Sequence, residues 1–369
     1  MTSRVVITGG EGFLGWHVRV VARALRLPDP VLIGRDNLAE PDRLASLLNG
    51  ADRVLHLAGV NRGTPDQVSA GNLDLARALA DGLRRCTTPP KSVAFANSIQ
   101  AGNGTPYGES KAHAAALLSE ATQWSGSSFA DIRLPNLFGE HGRPHYNSVI
   151  ATFCRVLADG GNPHVEQDRE LELMHATDAA TTLLAVDLVG PPRAPEEPVL
   201  RSVSQLAEQL RRFATTYRIG EIPELINRFD IRLFNTYRSH CFPGDLPLRL
   251  PRHTDDRGDL VEAVKVHGGG GQTFCSGTKP DVTRGDHFHL AKVERFLVVR
   301  GEAEIRLRRV LHDDVIRFRV SGAEPSIVDM PTMWVHSITN VGESELVTLF
   351  WANDLFDPVQ PDTYQEKVL

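Results

Sequence analysis

The sequence lacks the features that mark several specialised protein classes. Its four cysteines lie far apart with no C-x-x-C pair, which argues against a disulfide framework and a thiolate zinc site. No run of about 18 apolar residues occurs, so we predict no transmembrane helix. The net charge is −6, which argues against a general nucleic-acid-binding protein. The apolar run at residues 5–7 is too short for a signal peptide, and we expect a cytoplasmic protein.

The residues that are present describe an ordinary soluble protein with two domains. Hydrophobic residues make up 41% and charged residues 23% of the chain, as in globular proteins. Its 369 residues exceed what one core usually serves. Helix-like segments give way to short alternating strands near Cys241-Phe242-Pro243-Gly244. We therefore predict an α/β domain over residues 1–243 and an all-β domain over residues 244–369.

A glycine-rich turn near the N-terminus predicts a dinucleotide-binding site. The apolar run Val5-Val6-Ile7 leads into a G-x-x-G-x-x-G turn, and a helical segment follows. Strand, turn and helix in this order form a phosphate cradle, because the helix N-terminus presents free N–H groups and the positive end of its dipole. The glycines permit a tight turn and a close approach to the pyrophosphate. The predicted cofactor contacts in this turn are Thr8, Gly9, Gly12, Phe13, Leu14 and Gly15.

Three further segments supply predicted cofactor contacts. Arg35 and Asp36 follow an apolar run, where folds of this kind contact the adenosine ribose. A carboxylate there suits NAD, whereas an arginine suits the 2′-phosphate of NADP, and Arg35 leads us to expect NADPH. The next buried strand ends in small residues, as where a cofactor backbone passes closely. The contacts predicted from that strand and the helix after it are Leu57, Ala58, Gly59 and Asn72.

Three polar residues predict a proton-transfer site. Tyr107 and Lys111 are four residues apart and share one face of a predicted helix. A phenol has a pKa near 10, and we expect the neighbouring ammonium of Lys111 to lower that pKa and allow proton exchange with a substrate oxygen. Ser98 ends a predicted strand, at the edge where open α/β sheets bind ligands, and is expected to hydrogen-bond the same oxygen.

Together these features resemble the extended short-chain dehydrogenase/reductases that act on nucleotide-activated sugars. The resemblance covers about the first 240 residues and includes the segment Arg133-Leu134-Pro135-Asn136-Leu137-Phe138-Gly139. It implies a Rossmann sheet with a small lobe that grips a nucleotide sugar, and it implies that Lys111 holds the nicotinamide ribose. Asn136 matches the family segment between cofactor and sugar nucleotide. The polar loop after it is a candidate rim for the diphosphate, with Arg143 and Asn147 as candidate contacts.

The C-terminal part predicts a small β-barrel or jelly roll with a metal site. Residues 303–308 and 315–320 alternate apolar and polar side chains, as strands with one buried face do. His287 and His289 point the same way from one strand, and Glu294 and His336 can reach the same point. Three imidazoles and a carboxylate suit zinc, iron, manganese or nickel. The alternative is a set of polar side chains on an exposed strand face.

These segments resemble the two motifs of the cupins. The matches are His287, His289, Glu294 and Gly301 in the first motif, and Pro331, His336 and Asn340 in the second. Two positions depart from the pattern, because Asp281 replaces a glycine and Met333 a small residue. The whole chain, including Tyr146–Cys154 and the closing Phe356–Tyr364, resembles the CapF-type bifunctional enzymes of capsule and surface-polysaccharide sugar synthesis.

The resemblance implies two reactions on a UDP-linked 4-keto-6-deoxy-N-acetylhexosamine. The cupin would invert C3, and the reductase would then reduce C4 with NADPH. The product would be UDP-2-acetamido-2,6-dideoxy-L-talose, also named UDP-N-acetyl-6-deoxy-L-talosamine, a precursor of UDP-N-acetyl-L-fucosamine. The family further implies Zn²⁺ or another divalent metal in the cupin, and a homodimer.

Two other interpretations remain open at this point. One is a single-function nucleotide-sugar 4-epimerase or dehydratase with a structural cupin. Such dehydratases usually carry a carboxylate pair just after the catalytic serine or threonine, whereas Ile99-Gln100-Ala101-Gly102 follows Ser98 here. The other is a non-catalytic metal-binding sugar sensor, against which the intact set of Ser98, Tyr107 and Lys111 argues.

Overall fold

The computed structural model describes residues 4–184, 197–244 and 246–369. Within these ranges the chain forms two compact units. The first contains the residues up to Phe138, residues 145–148 and the described part of 171–201. The second contains residues 139–144, 149–170 and the described part of 202–369. The domain boundary predicted at 243/244 follows the change from helices to strands, and it stays a prediction.

The first unit is built on a five-stranded parallel sheet flanked by helices. Its elements are β1 (Val5–Thr8), α1 (Phe13–Ala24), β2 (Val31–Ile33), α2 (Arg35–Ala39), α3 (Pro41–Leu48), β3 (Arg53–His56), α4 (Pro65–Arg85), β4 (Ser92–Ser98), α5 (Pro106–Ser125) and β5 (Ser128–Leu134). The strand order is β2-β1-β3-β4-β5, and every neighbouring pair is parallel. Parallel pairing places the carboxyl ends of β1 and β4 at one edge of the sheet, where ligands bind in this class of fold.

Two apolar clusters hold this sheet and its helices together. One joins α3, α4 and α5 to the sheet through residues such as Leu48, Leu83 and Leu118, all fully buried. The other joins α1 and α7 (Ala176–Leu184) to the sheet through Val18, Leu55 and other buried residues. The sequence interpretation placed a helix from Asp178 through Val189, and the part of it beyond Leu184 lies outside the described residues.

The remaining segments before the β-rich region contain three more strands and three more helices. These are β6 (Asn136–Phe138), α6 (Val149–Ala158), β7 (Glu170–His175), β8 (Val199–Ser202), α8 (Val203–Arg218) and α9 (Arg228–Cys241). β6 pairs in parallel with β7, and the three strands form a small sheet in the order β6-β7-β8. In the second unit, α6 packs against α8 and α9, and Arg238 of α9 donates 2.7 Å to the Met330 carbonyl oxygen.

The C-terminal region is all β. Its strands are β9 (Leu248–Arg249), β10 (Arg252–Asp255), β11 (Gly258–Val261), β12 (Gln272–Thr278), β13 (Thr283–Phe288), β14 (Glu294–Arg300), β15 (Glu302–Arg309), β16 (Val315–Ser321), β17 (Ser326–Met330), β18 (Trp334–Asn340), β19 (Leu346–Ala352) and β20 (Tyr364–Gln365). They form two five-stranded sheets, ordered β12-β19-β14-β17-β9 and β16-β15-β18-β13-β20, and the hairpin β10-β11. Apolar side chains from both larger sheets share one core, including Phe296, Val298, Ile305 and Ile338.

The predicted fold class is confirmed: a Rossmann-type parallel sheet with helices on both faces precedes an all-β region. The alternation read over residues 303–308 is confirmed too, because Ala303, Ile305 and Leu307 are buried while the residues between them are less so. None of the helices in the described ranges combines the length and the apolar character that crossing a bilayer requires.

Candidate functional site

The turn after β1 has the geometry of an anion cradle. Gly9 has φ +71°, and a Cβ there would lie 2.7 Å from the Ala58 backbone nitrogen. A Cβ on Gly15 would lie 2.3 Å from the Gly9 carbonyl oxygen. α1 begins at Phe13 after Gly12, with no side chain capping it and no acidic residue in its first turn. The first N–H groups of α1, from Phe13 and Leu14 onward, are therefore left for an anion, and a nicotinamide dinucleotide fits this cradle.

A buried histidine that the sequence reading missed supports this turn. His56 ends β3, and its Nδ1 lies 2.7 Å from the Thr8 hydroxyl. The same hydroxyl accepts a hydrogen bond from the Ala58 N–H at 3.3 Å. Burial first, and the charge of Lys111 second, lower the pKa of His56 to about 3, so its imidazole is neutral at physiological pH. Thr8 and His56 therefore fix the start of the loop that contains Leu57, Ala58 and Gly59.

Two other predicted cofactor residues, Arg35 and Asn72, differ in how accessible they are to a ligand. Arg35 is exposed at the first position of α2, directly after β2, as the sequence places it. Asn72 is 4% exposed on α4, and its amide is bonded to the protein itself. It donates to the Val60 and Val68 carbonyl oxygens at 2.7 and 2.9 Å, and accepts from the Val60 N–H at 3.0 Å. In this structure Asn72 holds the loop after β3 onto α4.

The structure brings Ser98, Tyr107 and Lys111 together. Ser98 is the last residue of β4, and Tyr107 is the second residue of α5. The intervening loop lies tightly on the start of α5: a Cβ on Gly108 would lie 2.3 Å from the Gln100 carbonyl oxygen. Thr105 caps α5 by accepting from the Gly108 N–H at 3.1 Å. These contacts fix the first turn of α5 beside the end of β4.

The pKa of Tyr107 moves opposite to the direction expected from the sequence. Burial raises the pKa of the phenol above its usual value of 10, and a hydrogen bond with Ser98 lowers it by less. The expectation that Lys111 lowers this pKa is therefore wrong. The reason is that Tyr107 is half-buried and bonds to a neutral hydroxyl, while the Lys111 ammonium points at a backbone carbonyl.

Lys111 is buried and held from two sides. Its Nζ donates 2.8 Å to the Ala96 carbonyl oxygen and lies 4.1 Å from the centre of the Phe95 ring. Burial lowers the pKa of Lys111 to about 8, opposed by the negative charge of Asp131 on β5. Asp131 is itself fixed by a 2.7 Å hydrogen bond from the Asn97 amide. Because an ammonium has three N–H donors, the bond to Ala96 leaves Lys111 donors for a ligand.

The predicted substrate contacts Asn136, Arg143 and Asn147 are all exposed. Asn136 is exposed on β6 and donates 3.1 Å to the Glu172 carbonyl oxygen. Asn147 is exposed in the first unit, on a loop where Arg62 donates to the His145 carbonyl oxygen at 2.6 Å. Arg143 is exposed and belongs to the second unit. Their roles toward a sugar nucleotide stay predictions.

The structure brings the four predicted metal ligands to one point. One donor atom each from His287, His289, Glu294 and His336 lies within 4.8 Å of all the others. His287 and His336 face each other across the β13–β18 pair, and Glu294 begins β14. Glu294 Oε2 lies 2.9 Å from His289 Nε2 and 3.5 Å from His336 Nε2. Of these residues only His287 is more than marginally accessible to solvent.

The hydrogen bonds around the cluster fit a bound cation. Nδ1 of His289 meets the Asp362 carbonyl oxygen, and Nδ1 of His336 lies 3.2 Å from the Trp334 carbonyl oxygen. Their Nε2 atoms are buried and have no partner with hydrogen-bond geometry, despite the nearby Glu294 carboxylate. Imidazoles that bind a metal typically donate their second nitrogen to an acceptor in this way. The donor set and these orphaned atoms therefore fit a divalent metal such as zinc.

Charge interactions within the cluster are strong. Burial first, then the neighbouring His336 and His289, lower the pKa of His287 to about 3. Burial alone would raise the pKa of Glu294, but the charge of His289 and the contacts with both histidines hold it well below its usual range. The cluster therefore presents a carboxylate and at least one neutral imidazole, the forms in which these groups bind metals.

The two departures from the cupin pattern adopt backbone conformations that glycine favours. Asp281 and Met333 each have φ +61°. The backbone thus keeps a left-handed turn at both positions although the side chains differ from the pattern. Met333 also donates its N–H to the His289 carbonyl oxygen at 2.7 Å, which ties the loop before β18 to a ligand residue.

Two family models match different parts of the chain. The NAD dependent epimerase/dehydratase family matches residues 5–188, and the polysaccharide biosynthesis C-terminal domain matches residues 253–364. The UDP-2-acetamido-2,6-beta-L-arabino-hexul-4-ose reductase of Pseudomonas aeruginosa is 33% identical, over 98% of each chain.

Solved structures similar to this chain also cover nearly its full length. The capsular polysaccharide assembling protein CapF of Staphylococcus aureus is 33% identical over 99% of each chain, with a TM-score of 0.59. CapF with the inhibitor 3-isopropenyl-tropolone is 31% identical over 99% of each chain, with a TM-score of 0.56. The chain therefore belongs to the CapF-type family.

Proposed function

We propose that this chain is a bifunctional nucleotide-sugar enzyme of capsular or surface polysaccharide precursor synthesis. One site epimerises C3 of a UDP-2-acetamido-2,6-dideoxy-4-hexulose, and the other reduces the C4 ketone with NADPH to UDP-2-acetamido-2,6-dideoxy-L-talose. The observation that carries this proposal is the presence of two separate polar sites, Ser98/Tyr107/Lys111 in the first unit and the four-ligand cluster in the second. The name of the Pseudomonas aeruginosa relative, a reductase of a UDP-linked 4-keto sugar, supports it.

The residues of the first unit suit reduction of a ketone. Bound NADPH supplies the hydride that C4 receives, and the C4 oxygen then needs a proton. Tyr107 donates that proton, and the raised pKa of its phenol keeps the proton in place at neutral pH. Ser98, already hydrogen-bonded to Tyr107, orients the same oxygen. Lys111 uses its remaining N–H donors to hold the nicotinamide ribose.

The preference for NADPH over NADH rests on Arg35. Its guanidinium is exposed at the carboxyl end of β2, beside the start of α2. The planar guanidinium at this place can donate two parallel hydrogen bonds to the doubly charged 2′-phosphate of the adenosine ribose. The carboxylate of the neighbouring Asp36 would instead accept a hydrogen bond from the 2′-hydroxyl of NADH. We expect the attraction between the Arg35 guanidinium and the charged 2′-phosphate of NADPH to be the stronger of the two interactions.

The second unit suits proton transfer next to a carbonyl. The C4 ketone acidifies the C3 proton, so that a base can remove it and a proton can return on the other face. A divalent metal, with zinc as the first candidate, supplies positive charge that stabilises a neighbouring enolate. His287, His289, Glu294 and His336 would hold it, on a pair of sheets that we assign to the cupin class. We expect the enzyme to act as a homodimer.

The alternative of a 4,6-dehydratase requires an acid and a base near C5 and C6 of the sugar. Residues 99–106 contain no carboxylate, and Glu109 uses its side chain to accept from the Gly104 N–H at 2.9 Å. This arrangement favours simple reduction. A sensor without catalysis would have no use for the hydrogen-bonded pair of Ser98 and Tyr107.

The proposal is tested by incubating the full-length protein with UDP-2-acetamido-2,6-dideoxy-4-hexuloses that differ at C3, together with NADPH or NADH. We expect NADPH oxidation, and NMR of the product should show an inverted C3 and a reduced C4. A product that is reduced at C4 but keeps its original C3 configuration would exclude the epimerase activity and support the reductase activity alone. Absence of NADPH oxidation with every isomer would contradict the proposed function.

A further inference from the structure

The last strand, β20, lies along β13, the strand that contains His287 and ends one residue before His289. β20 pairs antiparallel with β13, so that Gln365 is opposite His287 and Tyr364 is opposite Phe288. The rings of Phe288 and Tyr364 lie 5.3 Å apart. Any change in the position of this segment therefore acts directly on the strand that positions His287 and leads into His289.

Asp362, just before β20, binds the turn between two ligands. Residues 290–293 connect His289 to Glu294. The Asp362 carboxylate accepts from all of the first three N–H groups of this turn, at 3.0 Å from Leu290, 2.9 Å from Ala291 and 2.8 Å from Lys292. Hydrogen bonds to a charged acceptor are the stronger kind, and successive N–H groups form a natural concave site for an anion.

The same residue also orients an imidazole. The Asp362 carbonyl oxygen can only accept, so its contact with His289 Nδ1 assigns the ring proton to that nitrogen. Nε2 then has its lone pair available, and it is the atom that lies 2.9 Å from Glu294 Oε2. Asp362 adopts φ +43°, a left-handed conformation that aspartate tolerates better than most residues. In this conformation the carbonyl oxygen of Asp362 contacts His289 while its carboxylate contacts the turn that follows His289.

We propose that Asp362 is a positioning residue for the metal centre, an inference that rests on the metal site proposed above. Its carbonyl fixes the tautomer of His289, and its carboxylate fixes the turn that sets the separation of His289 from Glu294. Lys292 strengthens the same attachment, because its Nζ donates 2.8 Å to the Pro361 carbonyl oxygen. Nothing in the sequence pattern of the four ligands indicates this role, since Asp362 follows His336 by 26 positions.

The test measures the affinity of the full-length protein for Zn²⁺ by competition with a chromophoric chelator. We expect Asp362→Ala to weaken zinc binding by about 10- to 100-fold, the usual effect of removing a group that orients a metal ligand. Asp362→Asn should give a smaller loss, because its amide oxygen can still accept from the turn. Asp357→Ala is the matched control and should bind zinc as the wild type does: Asp357 lies in the same exposed end segment and accepts a local 2.8 Å hydrogen bond from the Val359 N–H.

Thermal melts with and without zinc separate positioning from general support of the fold. For a positioning residue, the zinc-free melting temperature of the variant stays near that of the wild type, and the rise caused by zinc becomes smaller. Wild-type zinc affinity in Asp362→Ala would overturn the proposal, and if that variant does not fold, wild-type affinity in Asp362→Asn would do so. Failure of the wild-type protein to bind zinc, nickel or manganese would instead remove the metal site itself.

Discussion

At the residue scale, the proposed reductase site contains two side chains whose pKa values shift in opposite directions. Burial raises the pKa of the Tyr107 phenol and lowers the pKa of the Lys111 ammonium to about 8. Both effects have one cause, the low polarity around the start of α5, which disfavours charged forms. In the proposed reaction Tyr107 therefore still has its proton at neutral pH, and we expect the loss of the Lys111 proton to limit activity as the pH rises.

Replacement of Tyr107 by phenylalanine tests the proton donor. Tyr107→Phe removes the hydroxyl but keeps the ring, so the fold and NADPH binding should persist. We expect the rate of NADPH oxidation at saturating substrate to fall by about 100- to 10,000-fold, the usual contribution of general acid catalysis. A variant that keeps more than about a tenth of the wild-type rate would show that another group supplies the proton.

The pH profile tests the charge on Lys111. Since kcat/KM reports the free enzyme, it should be constant near pH 7 and fall as Lys111 loses its proton near pH 8. Asp131→Asn removes the charge that opposes this loss, so the fall should begin at lower pH. Asp81→Asn, on the exposed side of α4 beside Arg84, is the control and should leave the profile unchanged. An Asp131→Asn profile identical to that of the wild type would exclude this coupling.

Arg35 tests the choice of cofactor. Arg35→Ala should weaken NADPH binding and leave NADH binding nearly unchanged, because only NADPH presents a 2′-phosphate. Titration of each dinucleotide, followed by fluorescence, measures both affinities. Arg43→Ala, an exposed arginine on α3, controls for the general loss of positive charge. Equal losses for the two cofactors in Arg35→Ala would mean that Arg35 contacts something other than the 2′-phosphate.

At the element scale, the β1–α1 turn depends on backbone conformation and close packing together. Gly9 and Gly50 have nearly the same φ, +71° and +67°, but their surroundings differ. A Cβ on Gly9 would lie 2.7 Å from a backbone atom, whereas a Cβ on Gly50 would meet nothing within 4 Å. Alanine substitutions at these two glycines therefore separate two destabilising effects. Both variants place an alanine in a left-handed conformation, but only the substitution at Gly9 also adds a methyl group to the cradle.

We expect Gly50→Ala to cost about 1–2 kcal/mol of stability, from the left-handed conformation alone. Gly9→Ala should cost about 1–3 kcal/mol more, because the new methyl group pushes against the Ala58 backbone. It should also lose most of its NADPH affinity, while Gly50→Ala keeps it. Thermal melts and NADPH titrations check both statements, and equal behaviour of the two variants would contradict the cradle geometry.

The regular elements could be predicted because local sequence signals specify them. The strand predicted to end at Ser98 is β4, and the helix predicted to carry Tyr107 and Lys111 is α5. Local signals also specify the helix that carries Asn72, because Thr64 and Gln67 form a capping box that starts α4 at Pro65. The four metal ligands could also be grouped, because alternate residues of a strand share one face.

The supporting residues could not be predicted, because their partners are distant in sequence. His56 reads as one residue of an apolar strand, and its bond to Thr8 spans 48 positions. Asp362 reads as one aspartate of a polar end segment, and it meets His289 across 73 positions. The pKa of Tyr107 also escaped prediction, since spacing brings Lys111 to the same helix face but does not show that its ammonium turns to Ala96.

At the scale of the whole molecule, the two sites belong to different compact units. Ser98, Tyr107 and Lys111 all lie in the first unit, and the four candidate metal ligands all lie in the second. Each unit has its own apolar clusters, so a substitution in one site need not disturb the fold around the other. The proposed division of labour therefore predicts that either reaction can be abolished while the other remains.

The most direct measurement of this central claim is exchange of the C3 proton of the 4-keto sugar in D₂O with the full-length protein, followed by NMR without NADPH. The wild type and Tyr107→Phe should exchange the proton at similar rates, although Tyr107→Phe cannot oxidise NADPH. The double variant His287→Ala/His289→Ala should lose exchange while it still binds NADPH. A folded, metal-loaded wild type that shows no exchange, or an exchange that disappears in Tyr107→Phe, would contradict the division of two reactions between two sites.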